Sequence, residues 1–214
     1  MRVLENVRDD VTSIIEKYPN PRSAVLPLLF LAQSVEGYLT EDGMRDVGEL
    51  LDLTPAEVLG VASFYTMLKK TPTGEYLISV CRNISCTHLG ARKVLRACEE
   101  HLGVGAGETT PDGRFTLEAA ECLATCDGAP SLQVNYEDFY KVAPDEAVDL
   151  IEQLEKGYSV RSVWGEPVRT HKEISREVAM NGARRPVQQE RGEPVALGSE
   201  APATAPGMDE ATDD

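Results

Sequence analysis

The stretch TGEYLISVCRNISC, residues 73–86, decides how this chain is read. Thr73-Gly74 closes one pattern, and Tyr76, Ile78 and Val80 then recur at a period of two, the spacing of a strand with one face buried. That strand delivers Cys81 at its end, and Cys86 follows in the next loop. Everything before it has a different period. Val7, Val11, Ile14 and Ile15 make one helical stripe, and Leu26, Leu29, Phe30 and Ala32 to Val35 make another. Thr40 followed by Glu41 and Asp42 opens a helix toward Leu51. Thr54-Pro55-Ala56-Glu57 sets a capping Thr, Pro at the first helical position and Glu at the third, which predicts a helix running to about Met67.

Beyond Cys86 an amphipathic helix is expected over about Leu89 to Leu102, with Val94, Leu95, Cys98 and Leu102 facing inward. Strands are predicted around Leu117, over Leu132 to Val134 and near Phe139 to Val142, and a helix from Pro144 to about Leu154. The order β-α-β-β-β-α, with one crossover helix and a terminal hairpin, is that of a compact thioredoxin-like α/β layer. The fold class is therefore α+β: a helical bundle over residues 1–70, the α/β domain over 71–158, and an extended, partly disordered tail over 159–214. In that tail Pro167, Pro186, Pro194, Pro202 and Pro206 punctuate the text and apolar periodicity fades, so Ala183 to Asp214 is expected to be disordered. Ile174 and Val178 suggest a short helix over Thr170 to Met180, docked on a partner or solvated. Truncation after Tyr158 is expected to leave folding almost intact.

The 214 residues carry a net charge of -15, of which -12 lies before residue 159, and this argues against nucleic acid as a partner. The longest apolar run, Ala24 to Ala32, contains Pro27 and is far shorter than the roughly 20 residues a membrane helix needs. The charged start MRVLENVRDD lacks the apolar core of a signal peptide. A cytoplasmic protein without direct membrane insertion is expected.

The chemistry rests on cysteine. Of Cys81, Cys86, Cys98, Cys122 and Cys126, four form close pairs, CRNISC and CLATC, each just after a predicted strand, so two neighbouring strand-end loops can converge four thiolates. Their spacing suits a [2Fe-2S] cluster, which takes four thiolates on two irons, and leaves a structural zinc or a redox dithiol open. Disulfides are disfavoured by the odd count and the expected reducing compartment. Cys98 lies on a helical stripe and reads as a small core residue. His88, His101 and His171 are scattered; His88 is close enough to Cys86 to be a conceivable ligand, and a solvated loop residue is the simpler reading. Phe64, Tyr65 and Met67, on a helix, read as core sooner than as a partner-facing patch. Glu121 and Asp127 flank the cysteines and either tune the site or lie in solvent. No Gly-rich phosphate loop follows a strand.

CRNISC, ECLATCDGAP, RSAVLPLLFLAQSVEGYLT, the TPAE helix running into VASFYTML, and TPTGEYLISVC together resemble the thioredoxin-like [2Fe-2S] ferredoxin family over about Val11 to Lys156, in particular the small iron-sulfur subunits of the NADH dehydrogenase module of respiratory complex I. Ala124 stands where the family usually has Gly, and Ser85 where it often has Pro; neither change removes a ligand. The resemblance implies that Cys81, Cys86, Cys122 and Cys126 bind one [2Fe-2S] cluster. It also implies a larger partner subunit holding FMN and the NADH site, with the chain peripheral to the inner face of the cell membrane through the assembled NADH:quinone oxidoreductase. The equivalent diaphorase subunit of an NAD-linked hydrogenase or formate dehydrogenase shares this chemistry, and a zinc-stapled interaction module is the alternative from another class.

Overall fold

The computed structural model describes residues 2–182. Four helices lead: α1 (Arg8–Ile15), α2 (Val25–Glu36), α3 (Glu41–Leu51) and α4 (Pro55–Phe64). Their starts are where the capping residues stand. The Thr40 hydroxyl accepts from the Gly43 N–H at 3.0 Å, and Thr54 and Glu57 form a reciprocal box in which Glu57 accepts from the Thr54 N–H at 2.9 Å. Val11 and Ile14 of the first stripe and Leu29, Phe30 and Ala32 of the second are buried, with Leu28 and Leu31 beside them, in one apolar centre with Val47, Val58 and Ala62.

The helix expected to reach Met67 ends at Phe64, because Tyr65 turns extended (φ -93°, ψ 114°). Its aromatic end is therefore not core: Phe64 is 78% and Tyr65 40% exposed, their rings edge-on at 5.1 Å, while Met67 alone is partly buried. This corrects the core reading of that triplet.

Next comes β1 (Tyr76–Cys81), followed by the short α5 (Ile84–His88), α6 (Ala91–Leu102), β2 (Phe115–Ala120), β3 (Leu132–Val134), β4 (Glu137–Phe139) and α7 (Pro144–Glu155). The strands form one sheet in the order β2-β1-β3-β4; β1 and β2 run parallel, and β1–β3 and β3–β4 are antiparallel. The α6 crossover permits the parallel pair, and Asn135 and Tyr136, both at positive φ, close the two-residue turn between β3 and β4. The last hairpin strand lies earlier than the expected 139–142. On one face of the sheet Ile78, Val80, Leu117, Leu132 and Phe139 pack with Val94 and Cys98 of α6 and Leu150, Ile151 and Leu154 of α7.

Residues 159–182, expected to begin an extended tail, are packed instead. Val160 joins the apolar centre of the sheet, and α8 (His171–Asn181), opened by a Thr170–Glu173 capping box, lies along α2. Its buried face holds Ile174 and Ala179 together with His171 and Ser175. Ser175 Oγ accepts from Gln33 Nε2 at 3.0 Å, Lys172 Nζ donates to the Val35 carbonyl at 3.0 Å, and Arg176 pairs with Asp10 of α1. The helix thus docks on this chain's own amino-terminal helices, and truncation after Tyr158 uncovers apolar surface that the sequence did not announce. Ala183 to Asp214 lies outside the described residues.

Candidate functional site

Parallel pairing of β1 and β2 aligns Tyr76 with Phe115 and, at the far end, Cys81 with Ala120, so both strands release their loops at one edge of the sheet. The first loop, Arg82 to Cys86, turns at once into α5, whose cap is Asn83: its side chain accepts from the Ile84 N–H. The second loop, Glu121 to Ser131, leaves β2 and crosses the end of β1 before entering β3 on the other side. Backbone bonds stitch the crossing at both margins: Arg82 N–H donates to the Ala120 carbonyl at 2.8 Å and Cys81 N–H to the Ser131 carbonyl at 3.2 Å. Arg82 and Glu121, which adjoin the first cysteines of the two loops, form an exposed ion pair.

The four expected ligands therefore share one end of the sheet, in two kinds of surroundings. Cys81 and Cys86 are buried and Cys122 and Cys126 exposed. Burial pushes the Cys81 thiol up, and the N–H groups of Asn83 and Leu123, aimed at its sulfur from both loops, pull the other way. Ala124 N–H donates to Cys122 Sγ at 3.4 Å, from a residue held at φ +58°. This left-handed conformation explains in physical terms why a residue without a side chain suits that place. Cys86 Sγ lies 3.5 Å from the buried hydroxyl of Ser131. Past Cys126, Gly128 lies under the Tyr140 ring, which a Cβ at Gly128 would meet at 2.1 Å, so glycine is required there.

Hydrogen-bond donors from both loops thus point at sulfur, the environment an anionic ligand sulfur needs. The thiols come as two pairs in sequence on two neighbouring loops, a donor set of the kind a two-iron group takes as two thiolates at each iron.

The remaining candidates fall outside this edge. Cys98 is fully buried on α6, where burial pushes its thiol up to about 12 and leaves it inert packing. His88 is exposed at the end of α5, and His101 faces Glu155 of α7 at 3.6 Å. His171 is sealed at the start of α8, and burial drives its imidazole down to about 4. Asp127 is exposed beside Cys126. A cleft of about 780 Å³ runs beside the second loop; in it Lys69 pairs with Glu118 at 3.0 Å and Arg169 with Glu177, and Glu137 and Glu166 also line it. Ser131, Thr125 and the Leu123 N–H went unseen in the sequence; the available signal was two small hydroxyl residues in the ligand loop, Thr125 directly before Cys126 and Ser131 just before the next strand.

A family model of the thioredoxin-like [2Fe-2S] ferredoxins matches residues 11–155. The E subunit of the NADH-quinone oxidoreductase of Mycobacterium tuberculosis is 43% identical over 190 residues, 89% of this chain and 75% of that protein. The match is longer than the first 158 residues and so continues past them. NADH-quinone oxidoreductase subunit 2 of Thermus thermophilus is 39% identical over 141 residues, covering 65% of this chain and 78% of that one. Among solved structures, an NAD+-reducing [NiFe]-hydrogenase in its H2-reduced state superposes with a TM-score of 0.55 at 23% identity, over 62% of this chain and 22% of the hydrogenase chain, a likeness of fold. Among the described residues no helix is long and apolar enough to cross a membrane.

Proposed function

The chain belongs to the thioredoxin-like [2Fe-2S] ferredoxin family, and from that premise we propose that it is the electron-transfer subunit, carrying one [2Fe-2S] cluster, of a complex I-type NADH:quinone oxidoreductase. The observation that carries this reading is the shared edge of β1 and β2, where the loops of Cys81 and Cys86 and of Cys122 and Cys126 emerge side by side with backbone N–H groups aimed at sulfur. Identity of 43% to the E subunit of an NADH-quinone oxidoreductase supports the assembly. Cys81, Cys86, Cys122 and Cys126 would hold the cluster, which supplies one-electron storage and transfer when bound. The protein's own work is to fix the four thiolates on strand ends, keep water from Cys81 and Cys86 by burial, and offset negative charge on sulfur with the N–H groups of Asn83, Leu123 and Ala124. The partner in this reading is the subunit that holds FMN and the NADH site. The complex lies against the inner face of the cell membrane, to which the chain is peripheral.

Anaerobic purification tests the reading. The protein is expected to be red-brown, with iron and acid-labile sulfide in equal amounts and no zinc, and to copurify with a flavin subunit through which NADH bleaches its colour. A colourless zinc protein overturns it. A hydrogenase or formate dehydrogenase subunit in place of the quinone-reducing assembly would keep the chemistry and change the complex.

A further inference from the structure

Ser131 stands where both cysteine loops meet. Its carbonyl accepts from the Cys81 N–H at 3.2 Å, and its Oγ lies 3.5 Å from Cys86 Sγ and 2.6 Å from Oγ1 of Thr125, the residue before Cys126. All three side chains are sealed, with Cys86 1%, Ser131 2% and Thr125 4% exposed. Two hydroxyls and a sulfur in a dry contact have to allot their protons among themselves, and the sulfur decides the direction. A thiolate can only accept. Ser131 must then donate to Cys86, which leaves its oxygen free to accept the Thr125 proton.

We propose that Thr125 and Ser131 form a two-hydroxyl relay that donates to Cys86 and raises the reduction potential of the cluster. The inference rests on the cluster reading above and assigns these two residues a role within it. Reduction adds one negative charge to the cluster and its ligand sulfurs, so a hydrogen bond to sulfur favours the reduced form. The low local dielectric of the sealed contact strengthens the effect, and each hydroxyl polarises the next. Ser131 tunes the sulfur directly, and Thr125 acts through Ser131. Cys122 and Cys126 are exposed, whereas the hydroxyl contact to Cys86 is sealed from water.

The test uses the full chain loaded with iron and sulfide, with EPR-monitored redox titrations of the wild type, Ser131→Ala, Thr125→Val and the double variant. Metal content and the visible spectrum are expected to be unchanged. Ser131→Ala should make reduction about tenfold less favourable, a downward shift of about 59 mV for one electron. Thr125→Val should shift the same way by less, and the double variant should match Ser131→Ala, because Thr125 reaches the sulfur only through Ser131. Resonance Raman of the wild type in deuterated buffer should shift an iron–cysteine stretching band, and this shift should shrink in Ser131→Ala to the part the backbone N–H donors supply. If Ser131→Ala fails to load, the wild-type deuterium shift and Thr125→Val decide. Loaded variants that keep the wild-type potential overturn the relay alone, as does additivity of the two substitutions. A wild-type chain that takes up no iron and sulfide overturns the cluster reading and the relay with it.

Discussion

Residues 3–68 and 76–160 pack around separate apolar centres; all five cysteines lie in the second stretch of sequence, while the first centre is closed by α8, from residues 171–181. The sheet region is assembled from neighbours in sequence, a strand, a crossover helix and a parallel strand, and its chemistry follows from that local order. The helical region carries none of the candidate ligands, and its wall along α2 is completed by α8, which starts at residue 171. The contrast separates what the molecule does from what holds it shut.

The strongest way to break that contrast is to remove thiols one at a time. Ser at Cys81, Cys86, Cys122 or Cys126 is expected to abolish or markedly alter the reduced-cluster EPR signal, while Cys98→Ser keeps nearly the same g-values, since burial has made that thiol inert packing. Thermal unfolding of the helical region should hardly move in any of the four. A Cys98 variant that bleaches the protein would refute the ligand set.

Closing the helical region comes next in size. Ending the chain after Tyr158 removes buried Val160, Ile174 and Ala179 and takes Ser175 from the fully buried Gln33. At roughly 1.5–3 kcal/mol for each large buried aliphatic side chain, the loss should exceed about 3 kcal/mol, read as a lower midpoint in denaturant while the cluster spectrum persists. An unchanged midpoint would mean that α8 contributes no stability. Gln33 alone would show the same weakness, because its side chain also holds the Lys69 N–H at 2.7 Å and the Met67 carbonyl at 3.1 Å.

These two experiments mark what could and could not be seen in the letters. The strand ending in Cys81, the caps at Thr40 and Thr54 and the inward face of α6 are local patterns, and they stand in the structure at or near their expected places. The docking of α8 has no such pattern. Half of its buried face is polar: Ser175 is satisfied only by Gln33, far away in sequence, and both ring nitrogens of His171 are buried without a hydrogen-bond partner among the described residues. Phe64 misled for the opposite reason: helical periodicity makes it core only if the helix continues, and the helix stops there. At the site, pair spacing made the four cysteines legible, but the crossing of the second loop over β1, which unites Ser131 with Cys81 and Cys86, depends on the strand order.

A smaller effect tells the regions apart by pH. His171 is buried between them, near the Tyr136 ring and within the fields of Lys69 and Glu118, and its pKa falls from 6.5 to about 4. Between those values the unfolded chain binds a proton that the folded one refuses, so stability rises with pH across that window and is lost as pH falls from about 6.5 toward 4. The loss can reach roughly 3 kcal/mol. His171→Gln should flatten that slope in unfolding measured against pH, with the wild-type slope positive; an identical slope in both would place the titration elsewhere.

The smallest expected effect sharpens the sheet side. Ala124 sits at φ +58° in the ligand loop, where the left-handed conformation costs a residue with a Cβ about 1–2 kcal/mol. Glycine carries no such penalty, though its freer unfolded chain cancels roughly half of the gain. Ala124→Gly is therefore expected to stabilise the protein by about 0.5–1 kcal/mol. Ala124 is exposed, so no packed neighbour is lost with its methyl group. The same substitution at Ala62, fully buried on α4, should do the reverse, since it removes a packed methyl and puts glycine inside a helix. Chemical denaturation of the two variants side by side checks both signs. Because the Ala124 N–H donates to Cys122 Sγ at 3.4 Å, relaxation of the loop in the Ala124→Gly variant should also be visible in the EPR g-values. A destabilised Ala124→Gly variant would mean that the left-handed turn is held by the methyl group and not in spite of it.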